Sequence, residues 1–65
     1  MAMYTEKEER NKFIEYTVYN GKNENGSKRK IGTITFNTIN GKTTIEYEKG
    51  ITEDEKMCVD IFSNI

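Results

Sequence analysis

The residues able to do chemistry are few, and their surroundings decide what chemistry is open to them. Cys58 is the single thiol, flanked by Met57 and Val59, with Lys56 as the nearest cation. A reactive thiolate needs close positive charge or a metal, so Cys58 reads as a small buried hydrophobe. No histidine is present, which removes the usual general base near neutral pH. Ser27 and Ser63 therefore have no base to activate them. Glu46 and Glu48 have the spacing of paired carboxylates, yet a solvated strand face offers nothing to raise the pKa of either. The stretch from Gly21 to Gly32 fails as a calcium loop, because aligning Gly26 with the loop's invariant glycine puts Gly32 where a chelating glutamate belongs. One thiol without histidine supplies no zinc set either. No catalytic residues, no metal and no cofactor are expected.

Two groups remain, and both point to binding. Lys28, Arg29 and Lys30, with Lys22 nearby, form a basic cluster of the kind that meets phosphate or an acidic protein surface. The second group is a strand face made by Phe13, Glu15, Thr17, Tyr19, Thr33, Thr35, Asn37, Thr44, Glu46 and Glu48, where aromatic rings stand among threonines and carboxylates.

The elements that position these residues follow from turn chemistry and periodicity. Asn40-Gly41 separates two alternating runs and predicts a two-residue type I′ hairpin between strands 30–39 and 42–49. That register sets Thr38 opposite Thr43, Phe36 opposite Ile45 and Ile34 opposite Tyr47, and it gathers the threonines and glutamates on the other face. A strand over 13–20 carries Ile14, Tyr16 and Val18 on its apolar side. Tight turns at Asn20-Gly21 or Asn25-Gly26 would misalign that side. A longer loop or a bulge near one glycine restores it, with Ile14 opposite Ile34 or Phe36. Gly32 is then expected beneath an aromatic ring. Thr52 and Glu55 have capping-box spacing and start a helix over 52–63 that turns Met57, Cys58, Ile61, Phe62 and Ile65 to the sheet. Thr5 and Glu8 repeat the box near the N-terminus, so residues 1–12 are expected as a short helix or a polar arm, able to reach Phe13 and Tyr19 through Met3 and Tyr4.

The expected fold is one small α+β domain over 1–65, a three-stranded antiparallel β-meander on a C-terminal helix with a possible short N-terminal helix. Its expected core is Ile14, Tyr16, Val18, Ile34, Phe36, Ile45, Tyr47, Met57, Cys58, Ile61 and Phe62. In element order this resembles the double-stranded RNA-binding domain. That family sets lysines at the start of its last helix, where this chain has Glu53, Asp54 and Glu55, which repel RNA. The resemblance implies a fold and no function.

Sixty-five residues with 10 basic and 11 acidic side chains carry a net charge of −1, which argues against non-specific nucleic-acid or membrane binding. The N-terminal stretch lacks the apolar run of a secretion signal, so a cytoplasmic location is expected. Abundant Ile, Asn, Lys and Thr with no Leu or Gln suggest an A/T-biased coding sequence, as in low-GC bacteria and their phages. The leading expectation is a non-enzymatic protein-binding module, a small phage or mobile-element inhibitor of a host enzyme, using the open sheet face and charged loops. The alternative is a nucleic-acid-binding protein using Lys28-Arg29-Lys30 with Tyr19 as a stacking platform. Self-association as a homodimer is a further expectation, since so short a chain buries only a thin core.

Overall fold

A computed structural model describes residues 3–64. Four strands, β1 (Met3–Glu9), β2 (Phe13–Lys22), β3 (Lys28–Asn37) and β4 (Thr43–Tyr47), precede one helix, α1 (Glu53–Ser63). Every neighbouring pair is antiparallel and the order across the sheet is β1-β2-β3-β4. The protein is a small α+β structure, an open antiparallel sheet with one C-terminal helix.

The N-terminal segment is a strand, neither the short helix nor the unpaired polar arm expected. A polar helix here would have had almost no apolar face to dock, whereas an extended chain adds backbone pairing with β2 and sends alternate residues to opposite sides. Met3 packs against the core, and Tyr4 stacks on Tyr19 with ring centroids 5.2 Å apart. The turn closes through the Arg10 N–H to Phe13 O at 2.8 Å and the Phe13 N–H to Arg10 O at 3.3 Å. The likeness to the double-stranded RNA-binding domain thus fails at its first element.

The β3–β4 turn also departs from expectation. Ile34 faces Ile45, Phe36 faces Thr43 and Gly32 faces Tyr47, two residues from the expected register. Among the described residues only glycines have positive φ, so Asn40 cannot take the left-handed place a type I′ turn demands. A four-residue loop forms instead: the Gly41 N–H donates to Asn37 O at 2.9 Å, and the Asn37 N–H donates to Lys42 O at 2.8 Å. Asn37 Oδ1 accepts from the N–H groups of Ile39 (2.9 Å) and Asn40 (3.3 Å), which starts the turn early. A shift of two preserves every side chain's face, so the polar–apolar sorting survives. Asn37→Ala is expected to cost about 1 kcal/mol through these bonds, lowering the urea midpoint with an unchanged slope.

Between β2 and β3, Ile14 lies opposite Phe36 and Tyr16 opposite Ile34. Val18 pairs with Gly32 but Tyr19 with Lys30, leaving Ile31 as the extra residue of a bulge. The bulge lets Ile31 join the core out of alternation, and it is completely buried. A second irregularity lies between Tyr19 and Lys22, where Gly21 has a φ of 63°.

The buried apolar core is Val18, Ile31, Ile34 and Val59, with Met3, Tyr16, Ile45, Ile51 and Phe62 packed against it. The helix is rotated from expectation: Val59 and Glu55 face the sheet, Cys58 is half-buried, and Met57 and Ile61 are 59% and 60% exposed. Phe36 and Tyr47, both expected inside, lie partly in solvent. Two anchors set the rotation. Arg29 and Asn20 hold Glu55 beneath the helix, and Gly32 opens a seat for Val59. Gly32 therefore lies under Val59 rather than under an aromatic ring.

Helix α1 packs most closely on β3 and β4 and reaches β2 at its N-terminal end, where Asn20 bonds Glu55. Among the described residues, no helix is long and apolar enough to cross a membrane.

Candidate functional site

The outer face of the sheet is the candidate site, and antiparallel pairing assembles it. Phe13 lies opposite Asn37, Glu15 opposite Thr35 and Thr17 opposite Thr33. Thr35 in turn lies opposite Thr44, and Thr33 opposite Glu46. Directly opposed residues share a face, so these eight side chains form one surface. Glu48 lies just past β4, where its N–H donates to Ile31 O at 3.1 Å. Tyr19 stands at the far end of the same face, paired with Lys30.

Strand β1 adds to this surface in a way sequence reasoning missed. Tyr4 lies opposite Tyr19, Glu6 opposite Thr17 and Glu8 opposite Glu15. The alternation of Tyr4, Glu6 and Glu8 with Met3, Thr5 and Lys7 was the available signal, masked by the capping-box spacing of Thr5 and Glu8. The segment expected to reach over Phe13 and Tyr19 does so only at Tyr19, and Phe13 stays 41% exposed. Helix α1 lies on the opposite face, and no element among the described residues covers this one.

The basic cluster does not converge on one point. Lys28 pairs with Glu6 and sits 5.5 Å from the centroid of the Tyr19 ring, and the Glu6 carboxylate holds its ammonium above the ordinary lysine range. Arg29 turns to the inner side and pairs with Glu55. Lys30 lies 3.9 Å from Glu48. Lys22 is exposed and faces Lys28 across the β2–β3 end. Three of the four cations thus meet a carboxylate of the same chain.

Glu55 is the most perturbed acid. The Arg29 guanidinium, the Thr52 backbone N–H and the Asn20 side chain all favour its charged form, which brings its pKa down to about 2. Its Oε1 accepts from the Thr52 N–H at 2.9 Å while the Glu55 N–H donates to Thr52 Oγ1 at 3.1 Å, completing the expected capping box. This network joins β2, β3 and the start of α1, and it reads as a structural clamp.

Among the described residues no group of three or more acids or thiols is placed to hold a metal ion. The geometry defines a small α+β protein whose sheet has one open, polar and aromatic outer face. The chain matches no protein-family model, no curated protein and no solved structure.

Proposed function

We propose that this chain is a non-enzymatic protein-binding module that engages its partner through the outer sheet face. The observation that supports it most is the open surface itself: a pleated threonine field with Phe13 exposed at one end and the Tyr4–Tyr19 stack at the other. Aromatic residues rooted in a sheet bury large area at small entropic cost, the usual anchors of protein interfaces. Glu15 and Glu46 lie between those anchors and make no ion pair among the described residues. The complementary partner is therefore a protein surface with basic residues around aromatic-accepting pockets. A module of this size that binds without catalysing suits a phage or mobile-element inhibitor of a host enzyme. Nucleic-acid binding through Lys22, Lys28, Arg29 and Lys30 has less support, because phosphate would compete with Glu6, Glu55 and Glu48 for three of those cations.

Affinity capture from a cell extract, with wild type beside Phe13→Ala/Tyr19→Ala and Glu15→Lys/Glu46→Lys, tests this reading. A shared partner is expected on the wild type and absent from both variants. If every captured protein survives both double substitutions, the outer face is not the interface.

A further inference from the structure

Strand β4 forms one edge of the sheet, with β3 on one side and no strand on the other. The bonds that flank it fix which backbone groups are free. The Asn37 N–H donates to Lys42 O at 2.8 Å and the Glu48 N–H donates to Ile31 O at 3.1 Å, and between these two points β4 pairs with β3 in unbroken register. Antiparallel alternation then turns the backbone groups of Lys42, Thr44, Glu46 and Glu48 toward β3, and those of Thr43, Ile45 and Tyr47 away from the sheet. Open edges are ordinarily blunted by lysine, proline or a bulge. The five residues Thr43–Tyr47 hold none of these.

We propose that two copies of this chain pair antiparallel along β4, about a two-fold axis normal to the sheet at Ile45, so that two four-stranded sheets become one continuous sheet. In that register Ile45 meets the partner's Ile45, and Thr43 meets the partner's Tyr47. Every outward N–H and C=O of the strand then finds a mate. An axis normal to the sheet keeps each face on its own side, so on the outer face Thr44 meets the partner's Glu46 and Lys42 meets the partner's Glu48. Both charges are available. Lys42 makes no ion pair among the described residues, and Glu48 has only Lys30 at 3.9 Å. Helix α1 packs on β3 and β4, so a strand spacing of about 4.8 Å sets the two helix axes about 10–14 Å apart, no closer than helices ordinarily pack.

Charge complementarity favours a second copy as the occupant, because the edge carries both members of the pair it needs: two-fold symmetry sets Lys42 opposite Glu48 twice. The other edge lacks this property. In β1, Tyr4, Glu6 and Glu8 share one face and Thr5, Lys7 and Glu9 the other, so a two-fold axis at Glu6, Lys7 or Glu8 sets identical charges opposite each other. Lys7 also supplies the edge protection that β4 is without. The proposed interface is isologous and closes at two subunits. It uses the sheet edge and stands apart from partner binding on the outer face, which it extends into one surface across both copies.

Sedimentation equilibrium from about 1 µM to about 1 mM tests the pairing, with circular dichroism to verify folding. The wild type is expected to be dimeric at the upper end of that range. Thr43→Pro removes an outward N–H without touching the bonds to β3, and it is expected to weaken the dimer at least about 100-fold. Lys42→Glu is expected to weaken it at least about tenfold, and Lys42→Glu/Glu48→Lys to restore most of that loss. Amide hydrogen exchange reads the register: the Ile45 and Tyr47 amides are expected to slow as concentration rises, while those of β1 do not. A wild type that stays monomeric to about 1 mM overturns the proposal, as does a species larger than a dimer or a dimer indifferent to Thr43→Pro. A dimer lost only on Phe13→Ala/Tyr19→Ala belongs to the outer face and also overturns it. Rescue of Lys42→Glu by Glu46→Lys in place of Glu48→Lys overturns the axis at Ile45. Should Thr43→Pro lose its spectrum, exchange in the wild type decides alone: Ile45 and Tyr47 amides that do not slow in a dimeric sample overturn the pairing.

Discussion

Gly32→Val is expected to leave the chain unfolded at 25 °C. A Cβ at Gly32 would lie 2.9 Å from Val59 Cγ2, 3.1 Å from Val59 Cγ1 and 3.0 Å from the carbonyl oxygen of Glu46. The first two contacts could ease if α1 lifted, but the third is backbone of the adjoining strand and moves only if β3 and β4 part. Overpacking of this kind costs about 1–3 kcal/mol for a single added group, and valine adds three carbons. A domain of this size has only about 3–5 kcal/mol of stability to lose. Gly32→Ala should fold with a clearly lowered melting temperature. Gly32→Ala/Val59→Ala should recover part of that loss, because the deleted methyl groups make room for the new one. Gly26→Ala is the control: its Cβ would meet nothing within 4 Å, and only its φ of +87° opposes the change, at about 1 kcal/mol. Thermal unfolding of the four variants by circular dichroism reads the series. A Gly32→Ala protein as stable as wild type would mean that Val59 is not seated on β3.

The second large effect lies at Glu55. Replacing it with alanine removes the Asn20 bond at 2.9 Å, the Arg29 pair and half of the capping box, and leaves Arg29 unpartnered at the helix edge. Breaking a buried, hydrogen-bonded ion pair from one side costs about 3 kcal/mol, close to the whole stability of such a domain. Acid should act on the same group. Its pKa falls from an ordinary 4.5 to about 2 in the fold, so its stabilisation is complete above pH 4.5 and is lost as pH falls toward 2. Urea unfolding at pH 6, 4 and 3 is expected to show the wild type losing stability faster than Glu55→Gln over that interval. Parallel losses would show that the carboxylate is not ionised and clamped as described. By contrast, Lys28–Glu6 is an exposed pair, and Lys28→Ala should change stability little.

Gly32 and Glu55 also show why part of the fold was legible in the sequence and part was not. Alternation is local, so the β2, β3 and β4 segments and their polar and apolar faces could be read directly. An error of two residues at Asn40-Gly41 left those faces intact, because strand periodicity is two. Thr52 and Glu55 likewise announced the helix start, since a capping box spans one turn. The site shared this advantage: Phe13, Glu15, Thr17, Thr33, Thr35, Asn37, Thr44 and Glu46 lie together because parity alone places them there.

What failed depended on contacts between distant segments. Thr5 and Glu8 satisfy a helix rule, yet β1 forms because β2 offers an edge and Tyr19 offers a ring to Tyr4. Ile31 breaks alternation, and only the bulge opposite Val18 brings it inside. The helical spacing of Met57, Cys58, Ile61 and Phe62 marks an apolar helix without saying which side faces the sheet. That was decided across the fold, by the missing side chain of Gly32 under Val59 and by Arg29 reaching Glu55. The sequence by itself therefore determined the element types and the two-faced character of the sheet, since both rest on periodicity along one segment. The tertiary structure alone decided the fourth strand, the rotation of α1 and the dispersal of the basic cluster, because each depends on which carboxylate, ring or gap lies opposite in space.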